Sequence, residues 1–318
     1  MSKQKTLRLI LGDQLNEDHS WFQNPDKNVS FVLMEIRQET DYVAHHIQKA
    51  AAFFAAMRAF AKRLRGLGHQ VIYLKLDDRQ NHQTIAGNIG ELLKGKKFNR
   101  FEYLQPDEFR LDLQLRELSE SLPVLCEMLD SEHFLTGRME LEGFFAGKKR
   151  YLMESFYRWM RMRYDILMDG KRPVGDQWNF DQKNRHPYDG KVPVPEPLLF
   201  ENNVSSVCKT IRKAKVATIG EIKAERLIWP VSRDQALKLL KRFVTHFLPA
   251  FGTYEDAMVA NNWHLFHSRL SFALNTKMLH PREVIEAAVA AWKKKSGDIE
   301  IHQIEGFVRQ ILGWREYM

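Results

Sequence analysis

Five short apolar runs recur through the first part of the chain: LRLILG (7–12), SFVLMEI (30–36), HQVIYLKL (69–76), FNRFEYLQ (98–105) and LPVLCEML (122–129). Between them the apolar period changes from continuous to helical. Val43, Ala51, Phe54, Met57, Phe60 and Leu64 keep helical spacing over 43–67, and Gly66 and Gly68 stop that helix. Ile85, Ile89 and Leu92 do the same over 84–95, and Pro106 opens a further helix. Strands that are apolar on both faces must be covered on both faces. Alternation at this spacing therefore predicts an α/β N-terminal domain, a five-stranded parallel Rossmann-like sheet with helices on each side.

Ligands of such sheets bind at the carboxyl ends of the strands near the switch point. The segment there is GDQLN, 12–16, and no Gly-rich phosphate cradle is present. Asp13 and Gln14 suit a polyol or a heterocycle better than a pyrophosphate. The second strand ends in MEIRQETDY, which brings Glu35, Glu39 and Tyr42 towards the same crevice. The same residues equally suit a helix cap at Asp13 and solvated acids at 35 and 39.

Beyond the fifth run no strand pattern returns. An amphipathic helix over 149–168 is basic on one side and aromatic on the other, which fits either a nucleic-acid grip or a core face with Arg stems lying over it. A Pro-, Gly- and Asn-rich connection follows at 173–197, and Trp178, Asn179, Phe180 and Asp181 make it too apolar for a slack linker. Helices are expected at 232–250, 281–295 and 300–318. The predicted organisation is an α/β domain over 1–135, a linker helix and loop over 136–200, and an incomplete all-α domain over 201–318.

The net charge of +8 sits in the second half. Residues 147–172 hold eight Lys/Arg against three Asp/Glu, and 209–242 hold ten against three, which suggests a polyanionic partner or simply solvated helix faces. Cys126 and Cys208 are far apart and cannot build a zinc or iron–sulfur site by themselves, so a reducing, cytoplasmic setting is expected. No apolar run approaches the ~18 residues of a membrane helix, so no membrane association is expected. In HSRLS, 267–271, two hydroxyls three residues apart stand at an expected helix start, a place for a diphosphate or for an ordinary Ser cap.

Taken together, these segments resemble the photolyase/cryptochrome family. HSRLSFALNTKMLHPREV is similar to the family segment whose hydroxyls hold the flavin diphosphate, and GWREYM to its WREF helix beside the flavin. ILGDQL, YVAHH (42–46), the PVG–QWNFD–NR loop and FGTYEDAM (251–258) resemble the bacterial iron–sulfur branch, the prokaryotic (6-4) photolyases and photolyase-related proteins. The resemblance implies light-driven electron transfer from reduced FAD to a pyrimidine dimer flipped out of damaged DNA, with no obligate protein partner.

It also implies site roles. Tyr254, His267, Ser268, Leu270, Ser271, Gln310 and Arg315 would hold FAD. Asp181 and Asp256 would be lesion-side carboxylates acting through a hydrated Mg2+. Gly12, Asp13, Gln14, Met34, Glu35 and Glu39 would hold a 6,7-dimethyl-8-ribityllumazine antenna. Family members run longer, so the resemblance implies that this chain is the earlier part of one, inactive as it stands. The cysteines for a 4Fe-4S cluster would then lie elsewhere, and the apolar stripe of 300–318 would be left uncovered. A cryptochrome-type light sensor and a small-ligand-binding α/β protein are the rival readings.

Overall fold

The computed structural model describes residues 5–94, 98–294 and 297–318. The last residues of the helices expected at 84–95 and 281–295 lie outside the described residues. Two compact units emerge. The first comprises the residues up to Glu132 together with Leu199–Gln235 and Asn275–Met278; the second comprises His133–Leu198, Ala236–Leu274 and Leu279–Met318.

In the first unit β1 (Thr6–Leu9), β2 (Val29–Met34), β3 (Gln70–Leu74), β4 (Arg100–Leu104) and β5 (Leu125–Leu129) form one sheet in the order β3-β2-β1-β4-β5. Every pairing in it is parallel. Burial explains the sequence pattern. Each residue of β2 is buried, and Leu7 and Leu9 of β1 are fully so, whereas the edge strands β3 and β5 are partly exposed. The core joins these strands to Ile85, Ile89, Leu111 and Leu115 of the helices Ile85–Lys94 and Phe109–Ser121. Each such side chain contributes about 1.5–3 kcal/mol by leaving water.

The helix expected from residue 43 begins at Ile47, with His46 as its cap accepting from Gln48 N, and runs to Gly66 as α1. Residues 201–235, expected with the helical domain, instead pack with the sheet. Thr218–Ile219 pairs in parallel with His45–His46, and Trp229 donates its indole N–H to Gln48 at 2.9 Å. Gly220 follows that pairing at a φ of +72°, and a Cβ there would stand 1.9 Å from the His46 ring.

The regular elements of the second unit among the described residues are mostly helices, with a short hairpin of Met168–Asp169 and Arg172–Pro173 where the sequence pattern had shown no strand. The expected helix over 149–168 is shorter, Met153–Tyr164, because Asp165 ends it in the left-handed conformation at a φ of 53°. Its aromatic stripe is core: Phe156, Tyr157 and Met160 are inaccessible to solvent. Phe180 and Asn184 pin down the connection at 173–197. The final helix runs from Ile301 to Val308 and widens into a π-helical turn over Arg309–Arg315. Its apolar stripe is covered, contrary to expectation: Ile304, Phe307, Val308 and Leu312 are all 2% exposed or less. Among the described residues no helix is long and apolar enough to cross a membrane.

Candidate functional site

At the carboxyl ends of β1 and β2 the first unit opens into a cleft of about 270 Å³. Met34, Ile36, Phe53, Phe54, Met57 and Leu111 give it an apolar floor, and Asp13, Glu39, Tyr42, His45, Lys49 and Glu108 give it a polar rim. Gly12 brings bare backbone to the floor; a Cβ there would lie 3.1 Å from Met57 Sδ. Glu39 is held by both terminal nitrogens of Arg110, at 2.8 and 3.1 Å, and that guanidinium lies over the Tyr42 ring.

Of the six residues expected here, Gly12, Asp13, Met34 and Glu39 line the cleft. Gln14 and Glu35 do not. The Gln14 amide accepts from Leu11 N and donates to Leu104 O, so it ties the ends of β1 and β4 together and is 1% exposed. The Glu35 carboxylate is fully buried and engaged by Arg58 twice, by the Tyr73 hydroxyl and by Leu76 N. Both side chains hold the strand ends in place, so neither is free to meet a ligand. Tyr42, noted beside the acids, does reach the rim.

In the second unit GWREYM meets the short helix that continues from HSRLS. Arg315 donates to Leu274 O at 3.0 Å, the last turn of the short helix Ser271–Asn275, and contacts His133 Nε2 at 3.1 Å. Ser268 is half-buried, with its hydroxyl accepting from Leu270 N, and Arg269 between them adopts a φ of 58°. His267, Ser271 and Gln310 are exposed, whereas Leu270 is buried. Tyr254 is buried too: its ring stacks on Phe266 at 5.2 Å and its hydroxyl points to Asp189.

Asp181 is drawn into a charge cluster that sequence reading missed. Arg309, only 8% exposed, pairs with Asp181, with Glu255 at 3.3 Å and with Glu305 at 3.4 Å. Glu305 also accepts from the Tyr157 hydroxyl and from Phe180 N. Burial pushes the Glu255 carboxyl up to about 7 against the opposing pull of Arg309. Asp256, the next residue, is exposed. The available signal was the Glu305/Arg309 pair, charged residues four apart within an otherwise apolar stripe.

Glu316, inside GWREYM, is the second acid of this kind. It accepts from Leu135 N, Thr136 N and Thr136 Oγ1, and burial pushes its carboxyl up to about 7. A carboxyl raised from 4.5 binds its proton more tightly in the folded state, so this contribution to stability falls as pH rises between 4.5 and about 7. The full loss is about 3 kcal/mol at 1.36 kcal/mol per unit. Glu316→Gln should therefore narrow the difference between urea midpoints at pH 5 and pH 8; an unchanged difference would count against this assignment.

Cys126 and Cys208 do not approach a metal-ligand arrangement. One is half-buried on β5 and the other buried in the helix Ser205–Lys213, and burial pushes both thiols up. Among the described residues no group of three or more His, Cys, Asp or Glu side chains could hold a metal ion. Two separate cysteines do not supply the four thiolates of a 4Fe-4S cluster among the described residues.

A doubly wound parallel sheet with an acid-rimmed cleft at its strand ends, followed by a helical unit, is the photolyase type of α/β architecture. The chain belongs to the deoxyribodipyrimidine photo-lyase-related protein family, whose model matches residues 8–227. It is similar to a (6-4) photolyase of Agrobacterium fabrum, 35% identical over 315 residues, which covers 98% of this chain and 61% of that protein. The uncharacterized protein R852 of Acanthamoeba polyphaga mimivirus is 24% identical over 198 residues, 59% of this chain and 97% of that one. The fold is similar to that of a bacterial class III photolyase from Agrobacterium tumefaciens, with a TM-score of 0.59 at 14% identity, over 100% of this chain and 58% of that chain. The chain thus spans about three-fifths of the length of these photolyases.

Proposed function

We propose that the chain serves a cytoplasmic, light-dependent DNA-repair flavoprotein of the (6-4) photolyase type, with damaged DNA as its partner. The observation that supports this most is the identity of 35% to a (6-4) photolyase over 98% of the chain. Ser268, Leu270 and Ser271 are the residues for the flavin diphosphate. The hydroxyls of Ser268 and Ser271 flank a backbone bent at Arg269, an arrangement that suits phosphate oxygens. Arg315 anchors the helix that follows through Leu274 O. FAD, when bound, supplies the photoexcited electron donor. Asp181, fixed by Arg309, is the lesion-side carboxylate available to hydrogen-bond a flipped base.

The cleft of the first unit takes the antenna, a 6,7-dimethyl-8-ribityllumazine. A flat ring fits the floor of Met34, Phe54 and Met57, and ribityl hydroxyls fit the carboxylates of Asp13 and Glu39. Fluorescence titration should show lumazine binding that Asp13→Ala weakens about 5- to 150-fold, the worth of a buried charged hydrogen bond. A longer protein that contains this chain, loaded with FAD, reduced and illuminated, should restore an oligonucleotide carrying a single (6-4) photoproduct, as read by chromatography. Stoichiometric flavin without any light-dependent loss of the lesion would overturn the repair reading and favour a light sensor.

A further inference from the structure

Among the described residues of the first unit, Lys277 is the most completely buried cation. It follows the HSRLS segment in sequence, yet Asn275–Met278 packs with the sheet. Its side chain is 1% exposed. Its ammonium donates to Asp107 Oδ2 at 2.7 Å and to Asp13 O at 2.9 Å, and lies 3.5 Å from Asp13 Oδ2. Leu15 N donates to Thr276 O at 2.9 Å, so the same short segment is stitched to GDQLN twice. Lys277 also holds a φ of 61°, a conformation a non-glycine residue adopts only where its surroundings enforce it.

Asp13 is the cleft residue this geometry serves. About one third of its side chain remains exposed, and it lines the cleft. Lys277 and the backbone N–H of Asp13 engage part of the carboxylate, and the exposed remainder faces the cleft. The neighbouring charges are unfavourable without the lysine. Asp107 shares the same ammonium, and Glu39 and Glu108 stand on the rim, though Arg110 compensates both. Lys49, His45 and the Tyr42 phenol are the remaining charged or titratable groups of the rim.

We propose that Lys277 is a positioning residue of the cleft, fixing the Asp13 carboxylate as a charged acceptor for the hydroxyls of a polyol-bearing ligand. This rests on the reading of the cleft as the antenna site. The physical reason is that two carboxylates in a partly desolvated corner cannot both stay ionised unless a cation lies between them. Burial already draws the Asp13 carboxyl upward and Lys277 opposes it, with Asp107 adding to the upward push.

Lys277→Met should lower lumazine affinity about tenfold or more at pH 7. The affinity of this variant should climb as pH rises, because the ionised Asp13 is the stronger acceptor. Asp107→Asn is the gentler variant: it leaves Lys277 to Asp13 alone and should move the pH profile to lower pH with affinity retained. Carboxyl 13C NMR of the ligand-free protein gives a readout that needs no lumazine. There the Asp13 midpoint should rise in Lys277→Met and fall in Asp107→Asn. Shifts of the Asp13 midpoint without lumazine binding would reject the antenna reading and leave the role of Lys277 standing. Lumazine binding with affinity, pH profile and Asp13 midpoint unchanged in both variants would overturn the proposal.

Discussion

Arg309→Met should cost about 3–5 kcal/mol, the largest loss expected from any single change of charge in the second unit. The guanidinium is the shared partner of Asp181, Glu255 and Glu305. Methionine of similar length fills the space but leaves three carboxylates around an apolar stem, two of them with side chains 8% exposed or less. They must then take up protons or remain charged out of water, and both are unfavourable. The sign with pH follows. Glu255 already holds its proton to about pH 7, and losing Arg309 removes the group that pulls it down. The gap between wild type and variant should therefore be small near pH 5 and widen towards pH 8. Urea unfolding at the two pH values measures it, and adding Glu305→Gln should recover part of the loss. A cost below about 1 kcal/mol at pH 8 would mean that the cluster is solvated like a surface ion pair. Because Arg309 also holds Asp181, faster proteolysis within 173–197 should accompany the destabilisation.

Arg161→Leu should cost about 3 kcal/mol or more, for a different reason. Arg161 is completely buried, and its guanidinium donates to three backbone carbonyls: Ile166 at 3.2 Å, Trp178 at 3.0 Å and Leu167. Leucine removes every donor and leaves those carbonyls facing apolar surroundings, at about 1–3 kcal/mol for each buried group that finds no water. Trp178 also loses a cation from its face, since the Arg161 guanidinium carbon lies 5.4 Å from its ring centroid. A thermal unfolding midpoint within a degree or two of wild type would show that water reaches the hairpin at Met168–Pro173 and replaces the side chain. The consequence for function is that Arg161 does not belong to any surface offered to a polyanion. Arg158, on the same helix and largely exposed, is the appropriate contrast: Arg158→Leu should change stability by less than about 1 kcal/mol.

The sheet was legible from sequence because a strand buried on both faces has no room for polar residues, and LRLIL and SFVLMEI announce that directly. The order of the strands was not, since pairing is set by how crossovers pack, and no single run encodes its neighbour. The position of the cleft followed from the strand ends. Which residues face into it did not: Asp13 and Gln14 are adjacent and equally polar, yet one turns to the cleft and the other is consumed by Leu11 and Leu104. Glu35 and Glu39 divide in the same way, because Arg58 and Arg110 reach them from different helices.

The charged residues taught the sharper lesson. Arg161 counts towards a basic run, Lys277 trails a hydroxyl motif, and Arg309 interrupts an apolar stripe. In sequence each resembles a solvated cation. Their partners stand up to 264 positions away, as Lys277 and Asp13 do. By itself the sequence determined which segments must leave water, since transfer free energy belongs to each residue and needs no partner. Only the tertiary structure decided which cations become internal clasps, because a buried charge is tolerable solely where the fold has already gathered its counter-charges and carbonyls around it.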